Sequence, residues 1–147
     1  MKIVEAENRN KTLIEQLLSI WESSVKATHL FLSEDEIETI KKYVPQALNE
    51  VPHLIIVEDE NKVPIGFMGI DDQYLEMLFI SPNERGKGIG KYLLQYGISK
   101  YSVNKLSVNE QNPQAKGFYE HMGFEVYKRT ELDEQGSPYP LLYMNLS

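Results

Sequence analysis

The chain has 147 residues, 41% hydrophobic and 25% charged, which is long enough for one well-buried core and short for two domains. Its formal charge of −7 argues against a nucleic-acid partner, which needs a basic face, and the basic cluster at residues 85 to 91 is too small for a duplex footprint and suits one small polyanion. Zero cysteines exclude disulfides and a cysteine nucleophile, and His29, His53 and His121 lack zinc-like spacing, so no metal is expected.

Lys2 to Glu5 reads as a first strand, and Leu13, Ile14, Leu17, Leu18 and Trp21 form the apolar stripe of a first helix. Ser33-Glu34-Asp35-Glu36 is a capping box opening a second helix, which Ile37, Ile40 and Val44 continue and Pro45 is expected to end. His53 to Glu58 and Pro64 to Ile70 read as a hairpin across the polar turn at residues 59 to 62, and Tyr74 to Ile80 extends the meander. A helix over residues 88 to 100, a strand Lys105 to Asn109, a short helix, and a final strand pair, Phe124 to Glu131 and Leu141 to Leu146, complete the chain. No apolar run approaches the roughly 20 residues of a membrane span and MKIVEAENRN lacks a secretory leader, so a cytoplasmic protein with no membrane partner is expected.

Two segments carry chemistry. In LEMLFISPNERGKGIGKYLL (Leu75 to Leu94) a strand runs through a turn at Ser81-Pro82-Asn83 into Arg85-Gly86-Lys87-Gly88-Ile89-Gly90 at a helix start. Glycines let consecutive N–H groups crowd an anion, the helix start adds partial positive charge, and Arg85, Lys87 and Lys91 add whole charges. Gly88 would also serve plain strand-to-helix packing. The segment is no P-loop, and Leu93 breaks the dinucleotide pattern; it fits R-x-x-G-x-G. In VNEQNPQAKGFYEHMGF (Val108 to Phe124), Asn112 is a good N-cap, Pro113 stands at the first helical position and Gly123 stops the helix. Ala115, Phe118, Tyr119 and Met122 share the face turned to the sheet.

These two segments resemble the signatures of the GNAT superfamily of acetyl-CoA-dependent N-acetyltransferases, and the order β-α-α-β-β-β-α-β-α-β-β resembles that family along essentially the whole chain, residues 1–147 as one domain. The resemblance implies an α/β fold: a central mixed, mostly antiparallel twisted sheet, helices on both faces, and a splayed parallel strand pair that admits the pantetheine arm. It implies acetyl-CoA as acyl donor along Leu78, Phe79 and Ile80, with the Leu78 amide at the thioester carbonyl and the Ile80 backbone at the pantetheine. The pyrophosphate would rest on Arg85, Gly86, Lys87, Gly88, Ile89, Gly90 and Lys91, and Asn112 would bond the pantetheine.

Acyl transfer to an amine moves two protons. The Phe-Tyr-x-x-x-Gly-Phe context makes Tyr119 resemble the family's donor to the leaving thiolate; a phenol near ~10 can serve a thiol near ~8.5 if its pKa falls or the transfer is concerted. For the base, Glu76 shares strand parity with Leu78 and Ile80, whereas the positions the family uses are Tyr74 and Ser107 here. His29, Tyr74, Asn109 and Tyr139 are the further candidates for the acceptor pocket. The reading implied is transfer of acetyl to a primary amine of a small molecule or peptide by direct attack, in a monomer or homodimer. A non-catalytic acyl-CoA-binding module and a nucleotide-binding regulatory domain stand as alternatives.

Overall fold

In the computed structural model, which describes residues 1–147, the chain runs β1 (Lys2–Glu5), α1 (Lys11–Thr28), α2 (Glu34–Lys41), α3 (Val44–Glu50), β2 (His53–Glu58), β3 (Pro64–Asp71) and β4 (Tyr74–Ile80). A 3₁₀ turn at Pro82–Glu84 leads to α4 (Ile89–Tyr101), β5 (Lys105–Asn109), α5 (Pro113–His121), β6 (Phe124–Thr130) and β7 (Leu141–Leu146). The strands form one seven-stranded sheet in the order β1-β2-β3-β4-β5-β7-β6. Every pairing is antiparallel except β4 with β5. No helix is long and apolar enough to cross a membrane.

Helices cover both faces. Along β2, Leu54 and Ile56 join the cluster under α1, α2 and α3, while Ile55 and Val57 join the opposite cluster with Leu93 and Leu94 of α4. A strand that alternates between two buried faces reads as a continuous apolar run, as LIIV does. On α1 the buried stripe is Ile14, Leu17, Ile20, Trp21 and Val25, and Asn10 caps the helix by accepting from Leu13 N–H at 2.9 Å. Ala115, Phe118, Tyr119 and Met122 of α5 pack on the α4 side, as their spacing predicts.

The expected second helix is corrected. It opens with the predicted box, Glu36 N–H to Ser33 Oγ at 3.1 Å and Ser33 N–H to Glu36 Oε1 at 3.0 Å, but ends at Lys41. Pro45 starts a helix instead of stopping one: it stands in the first turn of α3, where its missing N–H has no intrahelical partner to lose. Fully buried Leu48 anchors α3. The Arg9 guanidinium donates to the carbonyls of Leu48, Asn49, Val51 and Pro52, placing a cation where the helix end is negative.

The sheet opens where β4 carries one residue too many. β4 pairs with β5 only at Tyr74↔Lys105 and Leu75↔Leu106. Against β3 its register steps from Ile70↔Leu75 to Gly69↔Met77, leaving Glu76 without a partner. Such a bulge bends and twists its strand, and here the bend falls directly after the last contact with β5. Beyond it, Ser81 N–H donates to the Ile65 carbonyl at 2.9 Å, so by the alternation of an antiparallel ladder Phe79 and Met77 also spend their amides on β3. Leu78 and Ile80 therefore turn N–H and C=O away from β3, into the gap that β5 has left.

Gly69, beside the bulge, makes this register possible: a Cβ there would lie 2.7 Å from Met77 Cγ and 3.1 Å from Val51 Cγ2. Gly69→Ala is expected to destabilise the fold by about 1–3 kcal/mol through overpacking, read as a lower midpoint in urea denaturation. An unchanged midpoint would show that the strand can move aside.

Candidate functional site

The turn between β4 and α4 exposes a run of backbone donors. Gly86 and Gly88 adopt φ values of 79° and 78°, the left-handed region glycine enters without strain, and nothing lies within 4 Å of where their Cβ atoms would be. Gly88 caps α4 with no side-chain bond, and the first amide of the helix to find a carbonyl is that of Tyr92, which donates to Gly88 at 3.0 Å. The N–H groups of residues 86 to 91 thus have no backbone acceptor. With the helix dipole behind them, they form a site for an anion.

A cavity of about 380 Å³ runs from this turn into the gap in the sheet. Of the residues expected to face the donor, Leu78, Ile80, Arg85, Gly86, Gly88, Ile89, Gly90, Lys91, Asn112 and Tyr119 line it. Two do not. Lys87 turns outward to Glu84, with 2.9 Å between Nζ and Oε2. Phe79 packs its ring on Phe67 at 5.6 Å on the far side of the strand, because successive strand residues face opposite ways. Asn112 accepts from Ala115 N–H at 3.3 Å as the cap of α5, so capping and cavity lining coincide in one side chain.

A second cavity of about 220 Å³ opens on the other side of the gap, lined among others by His29, Glu76, Ser107, Asn109 and Tyr119. The two cavities share Leu78, Asn112, Ala115 and Tyr119. Burial pushes the Glu76 carboxyl above its ordinary range, and the charges of Glu134 and Asp71 add to the shift. Burial pushes His29 the opposite way, helped by the charge of Arg85. The Tyr119 phenol, half-buried in an edge-on aromatic cluster with Phe118 at 5.2 Å and Phe124 at 6.1 Å, is raised by burial. Tyr74 is absent from the walls of both cavities; its hydroxyl is buried without a hydrogen-bond partner.

Tyr139 stands one layer further out, in a third cavity of about 310 Å³ that meets the second at Asn109. Its hydroxyl donates to Glu36, and its ring lies 5.3 Å from that of Phe31, which in turn lies 5.4 Å from the ring of His29. That hydrogen bond, with those from Ser33, holds the Glu36 carboxyl below its ordinary range. These contacts tie the loop after β6 to the loop between α1 and α2.

Ser24, Thr28, Glu84, Gln114, Ala115 and Phe118 line the same cavity beyond the residues expected to face the donor. Ser24 and Thr28 had a readable signal: two small polar residues four apart, continuing the buried stripe of α1.

A family profile described as acetyltransferase (GNAT) domain matches residues 28–142. A peptidyl-lysine N-acetyltransferase, YjaB of Salmonella typhimurium, is 44% identical over 128 residues, 87% of this chain and 88% of the relative. The solution structure of apo-form YjaB from Escherichia coli superposes with a TM-score of 0.88 at 40% identity, covering 99% of this chain and 97% of that one. PaiA N-acetyltransferase from Thermoplasma acidophilum, solved in complex with coenzyme A, shares the fold at a TM-score of 0.71 and 23% identity, covering 99% of each chain. The chain belongs to the GNAT family of acetyltransferases.

Proposed function

We propose that the chain, as one catalytic domain over residues 1–147, transfers the acetyl group of acetyl-CoA to a lysine side-chain amine of a peptide or protein by direct attack while both are bound. The observation that carries this reading is the junction of two cavities at Leu78, Asn112, Ala115 and Tyr119, which lets donor and acceptor meet from opposite sides. The lysine in the names of the similar YjaB proteins supports the choice of acceptor. The unpaired amides of residues 86 to 91 and the open space over Gly86 and Gly88 fit a diphosphate. Arg85 and Lys91 add charge at the same wall.

The Leu78 N–H, turned into the gap, is available to the thioester oxygen as that atom gains charge. Deleting such a donor typically raises a barrier by ~3 to 4 kcal/mol. Tyr119 supplies the proton for the departing sulfur. Because burial raises this phenol, a free tyrosinate is costly, so the proton moves as the C–S bond breaks rather than before it. Glu76 adds negative charge to the acceptor cavity and draws the cationic lysine in.

Incubation with acetyl-CoA and a panel of lysine peptides and polyamines, followed by free-thiol release and peptide mass, tests the reading. Acetylated lysine is the expected product; thiol release with polyamines alone would move the acceptor to small amines. Acetyl-CoA binding with no transfer to any amine would leave a non-catalytic module. Tyr119→Phe should lower kcat by roughly 10²–10⁴-fold with calorimetric affinity for acetyl-CoA nearly intact. Unchanged turnover would remove Tyr119 from the proton path.

A further inference from the structure

The end of α1 fixes a tautomer. Thr28 Oγ1 lies 2.8 Å from the Ser24 carbonyl oxygen and 2.8 Å from His29 Nδ1. Each contact needs a proton, and the carbonyl has none to give. The single Thr28 hydroxyl proton must therefore go to Ser24, and Nδ1 must bring its own to Thr28. In the neutral imidazole this leaves Nε2 bare, the one ring nitrogen able to take a proton. The ring lines the acceptor cavity together with Glu76 and Tyr119. We propose that His29, through Nε2, is the base that removes the proton from the acceptor ammonium, with Ser24 and Thr28 as positioning residues that hold the competent tautomer.

This rests on the acetyl-transfer reading and completes its proton balance. The acceptor enters as R–NH₃⁺ and gives one proton to Nε2. The freed lone pair forms the N–C bond, and the C–S electron pair goes to sulfur. As the C–S bond breaks, sulfur takes the Tyr119 hydroxyl proton, and in the same event the nitrogen of the tetrahedral intermediate returns its surplus proton to the phenol oxygen, so no free tyrosinate forms. One proton leaves the site overall, carried on His29 and then lost to water.

The groups facing His29 agree. Arg85, ahead of α4, and burial both disfavour the imidazolium, so the ring is neutral and ready below the ordinary histidine value of ~6.5. Glu76 on β4 lines the same cavity; Tyr119 on α5 is neutral; Ser107 and Asn109 on β5 carry no charge. On the outer side Phe31 separates the ring from Tyr139 and the Glu36 carboxylate. Between the two candidate bases the hydrogen-bond chain decides: the Thr28 contact leaves the Nε2 lone pair of His29 free in the cavity, whereas no hydrogen bond orients the Glu76 carboxylate there. Glu76 is left as the charge that binds the cation.

Long-range ¹H–¹⁵N spectra of the wild-type protein against pH should show His29 as the Nδ1–H tautomer with a midpoint below ~6.5. A His29 with its proton on Nε2 would overturn the proposal. With a lysine peptide, kcat/KM should rise with pH through that midpoint. His29→Gln should lower it roughly 10²–10⁴-fold and abolish this limb, while acetyl-CoA affinity stays unchanged. Glu76→Gln should raise the peptide KM and keep the limb. If His29→Gln retains the limb at the same midpoint, or Glu76→Gln removes it, the base is not His29 and the acetyltransferase reading survives. If the wild-type protein acetylates no lysine peptide, both fall together, whatever the tautomer.

Discussion

One surplus residue in β4 governs the molecule. Glu76 has no counterpart on β3, so the strand bends after Leu75, and the bend ends its pairing with β5. Backbone groups inside a sheet are normally satisfied by the next strand; an unmet buried N–H costs about 1–3 kcal/mol. Leu78 and Ile80 are held in that unmet state by packing on both faces, with Phe67 and Met68 of the neighbouring strand fully buried on opposite sides. The gap leaves a strand's worth of backbone donors and acceptors free, and the packing of the sheet has already borne the cost of opening it.

Charge is sorted along the same axis. The first cavity has Arg85, Lys91 and a helix start beside one carboxylate, Glu84, which is paired to Lys87; the second has Glu76, with Glu134 and Asp71 near enough to raise its pKa. The more positive and the more negative cavity lie on opposite sides of the gap, and the neutral groups Leu78, Ala115, Asn112 and Tyr119 lie where the two cavities join. The net charge of −7 is a poor guide to the donor side because the positive field there is local and partly built from peptide dipoles, which composition does not count.

The architecture was largely legible in the sequence. Period-2 and period-3.6 patterns located every strand and four of the five helices, and the glycine turn and the Asn112 cap stand where their chemistry predicts. What escaped has physical causes. Proline ends and starts helices with the same ring, so Pro45 is ambiguous in the sequence, and only the burial of Leu48 behind it marks a new helix. The bulge leaves no trace in residue parity, since Glu76, Leu78 and Ile80 remain even-numbered while the backbone between them is kinked. Phe79 was grouped with its neighbours although alternation sends its ring to the other face. The bond from Tyr139 to Glu36 joins residues 103 apart, beyond any local pattern.

The anion cradle is made of peptide bonds. Systematic replacement of side chains by alanine would leave the N–H groups of residues 86 to 91 in place and record only the lesser contributions of Arg85 and Lys91. Such a scan would understate the share of the local positive field that the backbone supplies. Backbone chemistry, an ester in place of an amide or a proline in place of a glycine, reaches what truncation cannot.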